Sequence, residues 1–580
     1  MTDVSTRDAP GEQVTPASST GDRIRAAAVV LRRGAAGQLR FTLPGAWGAV
    51  LAVCLSLTPS LLPRDGIIQG VVAGLSGWIG YGAGVLAAAI WRAFADRGPR
   101  EPRPDAWRAF LIAGGLALLV FAVLGRYWQT AGRALLGLPP EPPAAALVSA
   151  PVAVVVFAVL LLIGRGVGRA GRALGEFLGR RMGRAAARTL GWVLVALAVF
   201  GLLDGVLLDG LLNAADRTFA AGEALLPEDG DPPQSPLRSG GPGSLAAWDT
   251  LGRQGRAFVT DGPTAAEIAA LRGRPALEPI RIYSGLATAP TTEERARAAV
   301  ADLERAGGFQ RANLLVATTT GTGWLEPGSM AAYETLADGD SAIVSMQYSY
   351  LPSGFSFLVD QVRARDAGRE LFDAVYERWT ALPEGQRPRL YVFGESLGAF
   401  GMEGAFSGEA DLRNRTSGAL FVGAPAFATL HQRFTEDREP GSLAIEPVYR
   451  EGRTVRFATE IATGAPPRDV AWTGTRVLYL QHPSDPITFW SPSLLFSRPD
   501  WLAEPAGRDV LDAMVWIPVV TFWQVTLDMP PAVGVPEGHG HRYTGEVVDA
   551  WATLLSPEGL TPQSAAAILE ASRQFGRPAS

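Results

Sequence analysis

The residues best suited to chemistry in this sequence lie in the run Phe-Gly-Glu-Ser-Leu-Gly-Ala-Phe, residues 393–400. Its core has the spacing G-x-S-x-G, which is typical of a serine on a sharp turn between a strand and a helix. Gly394 and Gly398 are interpreted as the small residues that keep this turn free of crowding. The pattern predicts that Ser396 is a nucleophile toward an ester-type carbonyl.

The segments around the turn fit this interpretation. Residues 390–393 are apolar and indicate a buried strand, and residues 397–406 indicate a helix. The N–H of Leu397 would then point to the space where an oxyanion forms. We interpret Glu395 as a structural residue of the turn, with its carboxylate bonded to neighbouring backbone.

A serine hydroxyl needs a base, and the base needs an acid that orients it. On this kind of sheet the chain order is serine, then acid, then histidine. A strand and turn at 476–487 carry Asp485, and a Gly-rich loop at 536–544 carries both His539 and His541. The sequence predicts a Ser-His-Asp triad with His541 as the base and His539 as the alternative.

The chain has four histidines, so the other two can be considered individually. His482 lies three residues before the predicted acid and is expected to end a strand or brace the acid loop. His431 lies in a charged helical stretch, which predicts a surface side chain.

A second oxyanion donor should come from a loop after an earlier strand. The run Thr-Thr-Thr-Gly-Thr-Gly-Trp at 318–324 is a candidate, with Thr322 or Gly323 as the donor. The same run could also be an ordinary glycine turn. No phosphate-binding loop of the type G-x-x-x-x-G-K-[ST] is present in the sequence.

The composition excludes several classes of protein. The net charge of −5 argues against a nucleic-acid partner, and every basic residue is arginine. The single cysteine, Cys54, excludes an intramolecular disulfide and a cysteine-rich zinc site. We predict no metal and no cofactor.

The first 220 residues have the character of a membrane region. Each of five apolar segments is long enough, at about 1.5 Å per residue, to cross a hydrocarbon core of about 30 Å. A soluble bundle of five buried helices fits less well, because the segments are apolar all round. Glycines in the second segment favour close helix contacts. The segments are 44–62, 67–90, 107–125, 145–163 and 190–212.

The arginines between these segments predict the orientation. The regions that flank the segments are in turn rich, poor, rich, poor and rich in arginine, as expected for a cytoplasmic N-terminus. Five spans then place the C-terminal half outside the cytoplasm, in a multi-pass protein of the plasma membrane. Asp204 and Asp209, near the outer end of the last span, are interpreted as interfacial rather than as an ion pathway.

Beyond the spans, short apolar strands alternate with amphipathic helices, which predicts an α/β domain with a mostly parallel sheet. The six predicted strands are 280–283, 314–318, 342–346, 390–393, 419–422 and 477–480. Residues 510–527 are nearly long enough to span, but a sixth span would separate the histidine loop from Ser396. That stretch is interpreted as a core helix or as an aromatic wall of an acyl pocket. The predicted domains are a disordered tail at 1–40, a transmembrane helical domain at 41–215, a linker at 216–245, a catalytic domain at 246–560 and a tail at 561–580.

Several stretches together resemble the actinobacterial membrane-anchored α/β-hydrolase family, whose members join a multi-span region to an α/β-hydrolase domain. The resemblance covers about residues 40–555 and implies that fold with Ser396 as the nucleophile, but it does not supply a substrate. The stretches are Ser-Leu-Thr-Pro-Ser-Leu-Leu-Pro-Arg at 56–64, Gly-Thr-Gly-Trp at 321–324, Gln-Tyr-Ser at 347–349, Gly-Glu-Ser-Leu-Gly at 394–398 and Gly-His-Gly-His at 538–541.

The sequence as a whole predicts a membrane-anchored serine hydrolase of the esterase, lipase or thioesterase kind. A permanent anchor favours a substrate in or near the membrane, so the expected partners are membrane lipids and a lipid or acylated envelope component. Two alternatives stay open: an acyltransferase that uses the same acyl-enzyme, and a non-catalytic scaffold or transport component. The sequence does not indicate the oligomeric state.

Overall fold

The structure is a computed structural model that describes residues 41–98, 101–202, 230–351 and 361–575. The described part of its N-terminal region is helical, and three stretches of that part are long and apolar enough to cross a membrane: α2, α3 and the continuous stretch Pro143–Leu178. The described helices of this region are α1 (Leu43–Ser56), α2 (Gly66–Phe94), α3 (Pro104–Leu135), α4 (Pro143–Leu147), α5 (Ser149–Leu178) and α6 (Arg184–Gly201).

Three of the five predicted spans lie in helices of sufficient length, and the fifth segment is described only as far as residue 202. The span predicted at 44–62 is too long, because α1 ends at Ser56 after 14 residues, about 21 Å at 1.5 Å per residue. Pro59 ends the helical run, since proline lacks an N–H and restricts the residue before it. In the fifth segment the described helix is α6, and Asp204 and Asp209 lie outside the described residues.

Glycines allow the first two helices to touch through their backbones. A Cβ atom on Gly80 would lie 2.3 Å from the carbonyl oxygen of Gly48, and one on Gly84 would lie 2.2 Å from that of Pro44. Real side chains cannot occupy such space, so only glycine permits this approach. The predicted role of the α2 glycines in helix packing is confirmed.

The C-terminal region is built on a seven-stranded sheet in the order β1-β3-β2-β4-β5-β7-β6, in which every neighbouring pair is parallel. The predicted α/β fold is confirmed, and β6 is the strand that the sequence did not indicate. The strands are β1 (Ile280–Ser284), β2 (Asn313–Thr318), β3 (Ser341–Met346), β4 (Arg389–Glu395), β5 (Gly418–Val422), β6 (Val455–Ala458) and β7 (Arg476–Leu480).

Helices cover both faces of the sheet, as a parallel sheet requires. Alternate residues of one strand enter opposite cores: Leu314 packs on one side of β2, and Leu315 packs on the other. The helices are α7 (Gly252–Thr260), α8 (Ala265–Arg272), α9 (Thr292–Arg305), α10 (Pro327–Leu336), α11 (Gln361–Thr380), α12 (Leu397–Glu403), α13 (Glu409–Arg415), α14 (Thr429–Glu436), α15 (Pro486–Phe489), α16 (Val520–Asp528), α17 (Val547–Leu555) and α18 (Pro562–Ser572).

The predicted boundaries of this domain, 246–560, are too narrow at both ends. Within the predicted linker at 216–245, the buried Arg238 donates to the carbonyl oxygens of Val259 and Asp261 at 2.9 and 2.6 Å. Within the predicted tail at 561–580, α18 buries Ile568 completely against the sheet-covering helices. The proline and glycine content of residues 216–245 is typical of a flexible linker, but hydrogen bonds hold the described part of this segment to the domain.

Candidate active site

Ser396 lies on a sharp turn where β4 ends and α12 begins. Its backbone has φ 56° and ψ −127°, a left-handed conformation that costs a residue other than glycine about 1–3 kcal/mol. The N–H of Ser396 donates to the carbonyl oxygen of Val422 at 2.8 Å, which ties the turn to the neighbouring strand β5. The serine is therefore held above the carboxyl edge of the sheet by fixed backbone.

The two glycines beside the serine are required by close backbone contacts. A Cβ atom on Gly394 would lie 2.4 Å from the carbonyl oxygen of Gly398. One on Gly398 would lie 2.5 Å from that of Thr318, at the end of β2. Since these neighbours are backbone atoms, neither contact can be relieved by a side-chain rotation.

Asp485 and His541 form a buried pair. The Oδ2 atom of Asp485 lies 2.7 Å from Nδ1 of His541, and the aspartate is completely buried. Asp485 follows β7 and caps α15, so its Oδ1 accepts the N–H of Ile487 at 2.9 Å. Its Oδ2 also accepts the hydroxyls of Tyr543 at 2.7 Å and Thr488 at 3.2 Å. These hydrogen bonds fix the carboxylate in position.

Two opposing effects act on the His541 imidazole. Burial opposes its charged form, but the Asp485 carboxylate favours that form by charge and by the hydrogen bond. The carboxylate effect is larger in total, so the pKa of His541 is raised above its usual 6.5. With Nδ1 engaged by Asp485, proton exchange with a nucleophile falls to Nε2.

The alternative base, His539, has different surroundings. Its Nδ1 lies 3.2 Å from Oδ2 of Asp509, whose other neighbour is the hydroxyl of Ser484 at 2.5 Å. His541 lines the cavity that contains Ser396, whereas His539 is not among the lining residues of that cavity. The structure therefore brings His541, rather than His539, together with Ser396 and Asp485.

His482 braces the acid and histidine loops against each other, as one of the two sequence interpretations expected. Its Nδ1 lies 2.9 Å from the carbonyl oxygen of Gly540, and its Nε2 lies 2.5 Å from a carboxylate oxygen of Glu546. The ring stacks on Tyr543 with 4.0 Å between centroids. His482 thus holds β7 to the loop that presents His541.

The prediction that His431 is a surface residue is wrong. It is buried against Phe457 and Tyr479, and its Nε2 lies 2.6 Å from the side-chain oxygen of Gln481. Burial lowers the pKa of His431 to about 4, so the ring is neutral at physiological pH. Its helix α14 has charged neighbours in sequence, but they lie on other faces of the helix.

Ser396 and His541 line a cavity of about 750 Å³. Its walls are mostly apolar and come from three segments: the turn after β2, the loop after Asp485, and the segment from α16 to the histidine loop. The described residues hold no cluster of three or more His, Cys, Asp or Glu side chains suited to a metal ion. The apolar side chains of the wall are Trp324, Ile487, Trp490, Met529, Pro530 and Val533.

Two carboxyl groups that the sequence analysis did not assign to the cavity also line it. Glu326 caps α10, accepting the N–H of Ser329, and also accepts the hydroxyl of Thr544 at 3.3 Å. The Glu395 carboxyl makes no hydrogen bond within the described residues, so the prediction that it bonds to neighbouring backbone is wrong. Burial and the nearby Glu326 raise the pKa of Glu395 to about 8. Burial raises the pKa of Glu326 as well.

The turn after β2 lies beside the turn that carries Ser396, but amide N–H groups of the turn after β2 donate to carbonyl oxygens of that same turn. The Gly323 N–H donates to the carbonyl oxygen of Thr320 at 3.0 Å, and the Thr320 N–H donates to that of Trp324 at 2.9 Å. Gly323 has φ +91°, which favours glycine. The prediction of Gly323 as an oxyanion donor is therefore wrong, because its hydrogen is already engaged. Thr322 stays a prediction, with its carbonyl oxygen bound by Gln347 at 3.0 Å.

Comparison with known protein families agrees with this architecture. The model of an alpha/beta-hydrolase family matches residues 280–568, and the model of the N-terminus of an alpha/beta-hydrolase family matches residues 57–263. The chain belongs to this alpha/beta-hydrolase family, which indicates a hydrolase whose N-terminal region is part of the family architecture. Searches of curated proteins and of solved structures gave no match.

Proposed function

We propose that the protein is a membrane-anchored serine hydrolase that cleaves an ester or thioester through Ser396, His541 and Asp485. The observation that carries this proposal is the buried Asp485–His541 pair at 2.7 Å, whose histidine lines the same cavity as Ser396 on its strained turn. A serine hydroxyl beside such a pair is the arrangement that nucleophilic acyl transfer needs.

The reaction begins with attack of Ser396 Oγ on the substrate carbonyl carbon, while Nε2 of His541 takes the hydroxyl proton. Asp485 stabilises the imidazolium that forms, and the Leu397 N–H stabilises the oxyanion. The intermediate then breaks the bond to the leaving group, which receives the proton from His541. Water then attacks the acyl-enzyme while His541 takes its proton, and His541 returns a proton to Ser396 Oγ as the acid is released.

The walls of the cavity support an apolar acyl group as the part of the substrate that is bound. Six apolar side chains line a space of about 750 Å³, which is in the range of sites for drug-sized ligands. The long apolar helices of the N-terminal region would hold this cavity close to a bilayer. A lipid or an acylated component of the cell envelope is therefore the proposed substrate class.

Covalent labelling tests the nucleophile. A fluorophosphonate probe should label the wild-type protein in membranes, because Ser396 Oγ displaces fluoride and forms a stable bond to phosphorus. Ser396→Ala should not be labelled, whereas the control Ser493→Ala, at an exposed serine, should be labelled normally. Absence of labelling in the wild type would contradict the proposal.

We also propose that the catalytic domain faces outward, on the basis of the arginine distribution in the N-terminal region. The native Cys54 is buried, with 3 % of its surface exposed, so a new surface thiol can be labelled without background from Cys54. Val362→Cys, at an exposed position of α11, should react with a membrane-impermeant maleimide in intact cells. Reaction only after the cells are permeabilised would reverse the proposed orientation.

A further inference from the structure

The loop that joins α1 to α2, residues 57–64, extends away from the helices into the C-terminal domain. We call these residues the docking loop. Leu61 and Leu62 are 2 % and 1 % exposed, and Arg64 is 1 % exposed. A loop between two membrane helices is ordinarily solvated, so this degree of burial needs a partner.

The polar partner is helix α16. The Gln524 side chain donates to the carbonyl oxygen of Thr58 at 3.0 Å. The Asp528 carboxylate accepts the hydroxyl of Ser60 and the N–H of Leu62, the latter at 3.3 Å. Gln524 and Asp528 are completely buried, so these bonds hold the docking loop to α16 at a place that water does not reach.

An ion pair reinforces this attachment. Nε of Arg64 lies 3.8 Å from Oδ1 of Asp528, and the side chains of both residues are completely buried. The Arg64 guanidinium also donates to the carbonyl oxygen of Thr58 at 3.2 Å. The backbone N–H of Arg64 donates to the side-chain oxygen of Gln129 at 2.8 Å. Removing either charge would leave the other buried without compensation.

The apolar residues of the docking loop reach the segments that carry the triad. Leu61 belongs to one core cluster with Phe489 and Val525, and Phe489 is the last residue of α15, the helix that Asp485 caps. Leu62 belongs to a small cluster with Leu136, Ala532 and Val535. Both clusters join the N-terminal region to the surroundings of the site.

Ala532 connects this cluster to the catalytic histidine. Its carbonyl oxygen accepts the backbone N–H of His541 at 3.0 Å. On the same side, α16 contributes Thr526 to the cavity wall, and the indole N–H of Trp490 donates to the Thr526 hydroxyl at 2.8 Å. The segment that holds His541 and the segment that forms the wall therefore both rest on the docking loop.

From these contacts we infer that the docking loop positions His541 and the cavity wall, so that the site is complete only when the N-terminal region is docked. Leu62 and Asp528 are the positioning residues: neither lines the cavity, and each acts through the segment that it holds. This inference rests on the proposed function, since it assigns the loop a role in the reaction of Ser396.

The test uses the full-length protein in detergent and measures the second-order rate of fluorophosphonate labelling together with Tm. Leu62→Ala should label at least about 10-fold more slowly, because the support under Ala532 is lost. Leu62→Met, which keeps the volume, should restore labelling to within about threefold of the wild type. Leu111→Ala, at a position of α3 that is 67 % exposed, is the matched control and should label normally.

A pH profile separates positioning from a loss of folded protein. If His541 moves away from Asp485 in Leu62→Ala, its pKa should fall, and the acid limb of the labelling rate should shift to lower pH. A smaller folded fraction would lower the rate equally at every pH. Should Leu62→Ala not fold, Leu62→Val is measured instead, with the same expectation on a smaller scale.

The outcomes distinguish the two proposals. Wild-type protein that labels, with Leu62→Ala labelling at the same rate and the same pH profile, overturns the inference and leaves the proposed function intact. Wild-type protein that does not label overturns the proposed function itself. Slow labelling of Leu62→Ala with an acid limb at lower pH, together with labelling of Leu62→Met near the wild-type rate, supports the inference.

Discussion

Nδ1 of His541 lies 2.7 Å from Oδ2 of Asp485, whereas the histidine two residues earlier, His539, faces a different carboxylate, Asp509, at 3.2 Å. The loop thus presents two histidine–aspartate pairs of similar composition. Only the His541 pair opens onto the cavity of Ser396. This contrast provides a matched control for the proposed mechanism.

We expect His541→Ala to lower the labelling rate and the esterase kcat by about 10³-fold or more, because Ser396 loses its base. His539→Ala should change both by less than about 10-fold, since it removes a structural contact. Labelling kinetics with a fluorophosphonate and hydrolysis of p-nitrophenyl esters measure the two effects.

The acid partners extend this comparison. Asp485→Asn should reduce kcat strongly, because the imidazolium loses its stabilising charge, and Asp509→Asn should reduce it only slightly. A larger loss from the His539 and Asp509 variants than from the His541 and Asp485 variants would contradict the assignment of the base.

The close approach of Gly398 to the backbone of Thr318 predicts that Gly398→Ala inactivates the protein. The new Cβ atom would meet the carbonyl oxygen of Thr318 at 2.5 Å, and the resulting shift of the backbone would cost about 1–3 kcal/mol and displace Ser396. Gly385→Ala is the control, because a Cβ atom there meets nothing within 4 Å. Tm and labelling should both fall for Gly398→Ala and stay near wild type for Gly385→Ala; an active, stable Gly398→Ala would contradict the model of the turn.

Glu395 predicts a dependence of stability on pH. Burial raises its folded-state pKa from 4.5 to about 8, so between these pH values the folded chain binds a proton that the unfolded chain does not. The free energy of unfolding therefore falls as the pH rises through this window. Glu395→Gln cannot ionise, so its Tm relative to the wild type should rise by roughly 2–5 °C between pH 5 and pH 8.

Calorimetry or a thermal-shift assay at both pH values measures this difference. Glu384→Gln, at an exposed position, should show the same Tm difference from the wild type at both pH values. A Tm difference for Glu395→Gln that is constant or that decreases with pH would contradict the burial of an ionisable Glu395.

The size of the cavity predicts selectivity for the length of the acyl chain. Met529→Trp should fill part of the 750 Å³ space and lower kcat/KM for long-chain p-nitrophenyl esters by about 10-fold or more. Short-chain esters should be affected by less than about threefold. Val362→Trp, on the exposed face of α11, should leave both values unchanged, and an equal loss for short and long chains in Met529→Trp would contradict an acyl pocket at this wall.

Much of the fold and the central residues of the site could be predicted from local patterns. Short apolar runs bounded by turn residues identified six of the seven strands, because each run is buried on both faces. The edge strand β6 (Val455–Ala458) was missed, since four residues that include Arg456 carry too little periodicity. The turn at Ser396 was recognisable because the G-x-S-x-G spacing reflects a local requirement, namely that only glycine fits at positions 394 and 398.

Several of the errors have a common physical origin, which is packing between segments that are distant in sequence. Apolar residues of the docking loop have the same hydropathy whether they face lipid or a protein core, so the first span was predicted too long. The burial of His431 depends on its contacts with Phe457 of β6 and Tyr479 of β7. Local sequence does not report such contacts.

The contact between Ser60 and Asp528 joins positions 468 residues apart in the chain. It cannot form until nearly the whole polypeptide has been synthesised, and contacts of such separation close late because of the entropy of the intervening chain. The nucleophile and its turn can therefore fold well before the histidine loop has its support. A nascent or truncated chain would therefore contain a folded sheet and an unreactive Ser396, and activity would appear only when folding is complete.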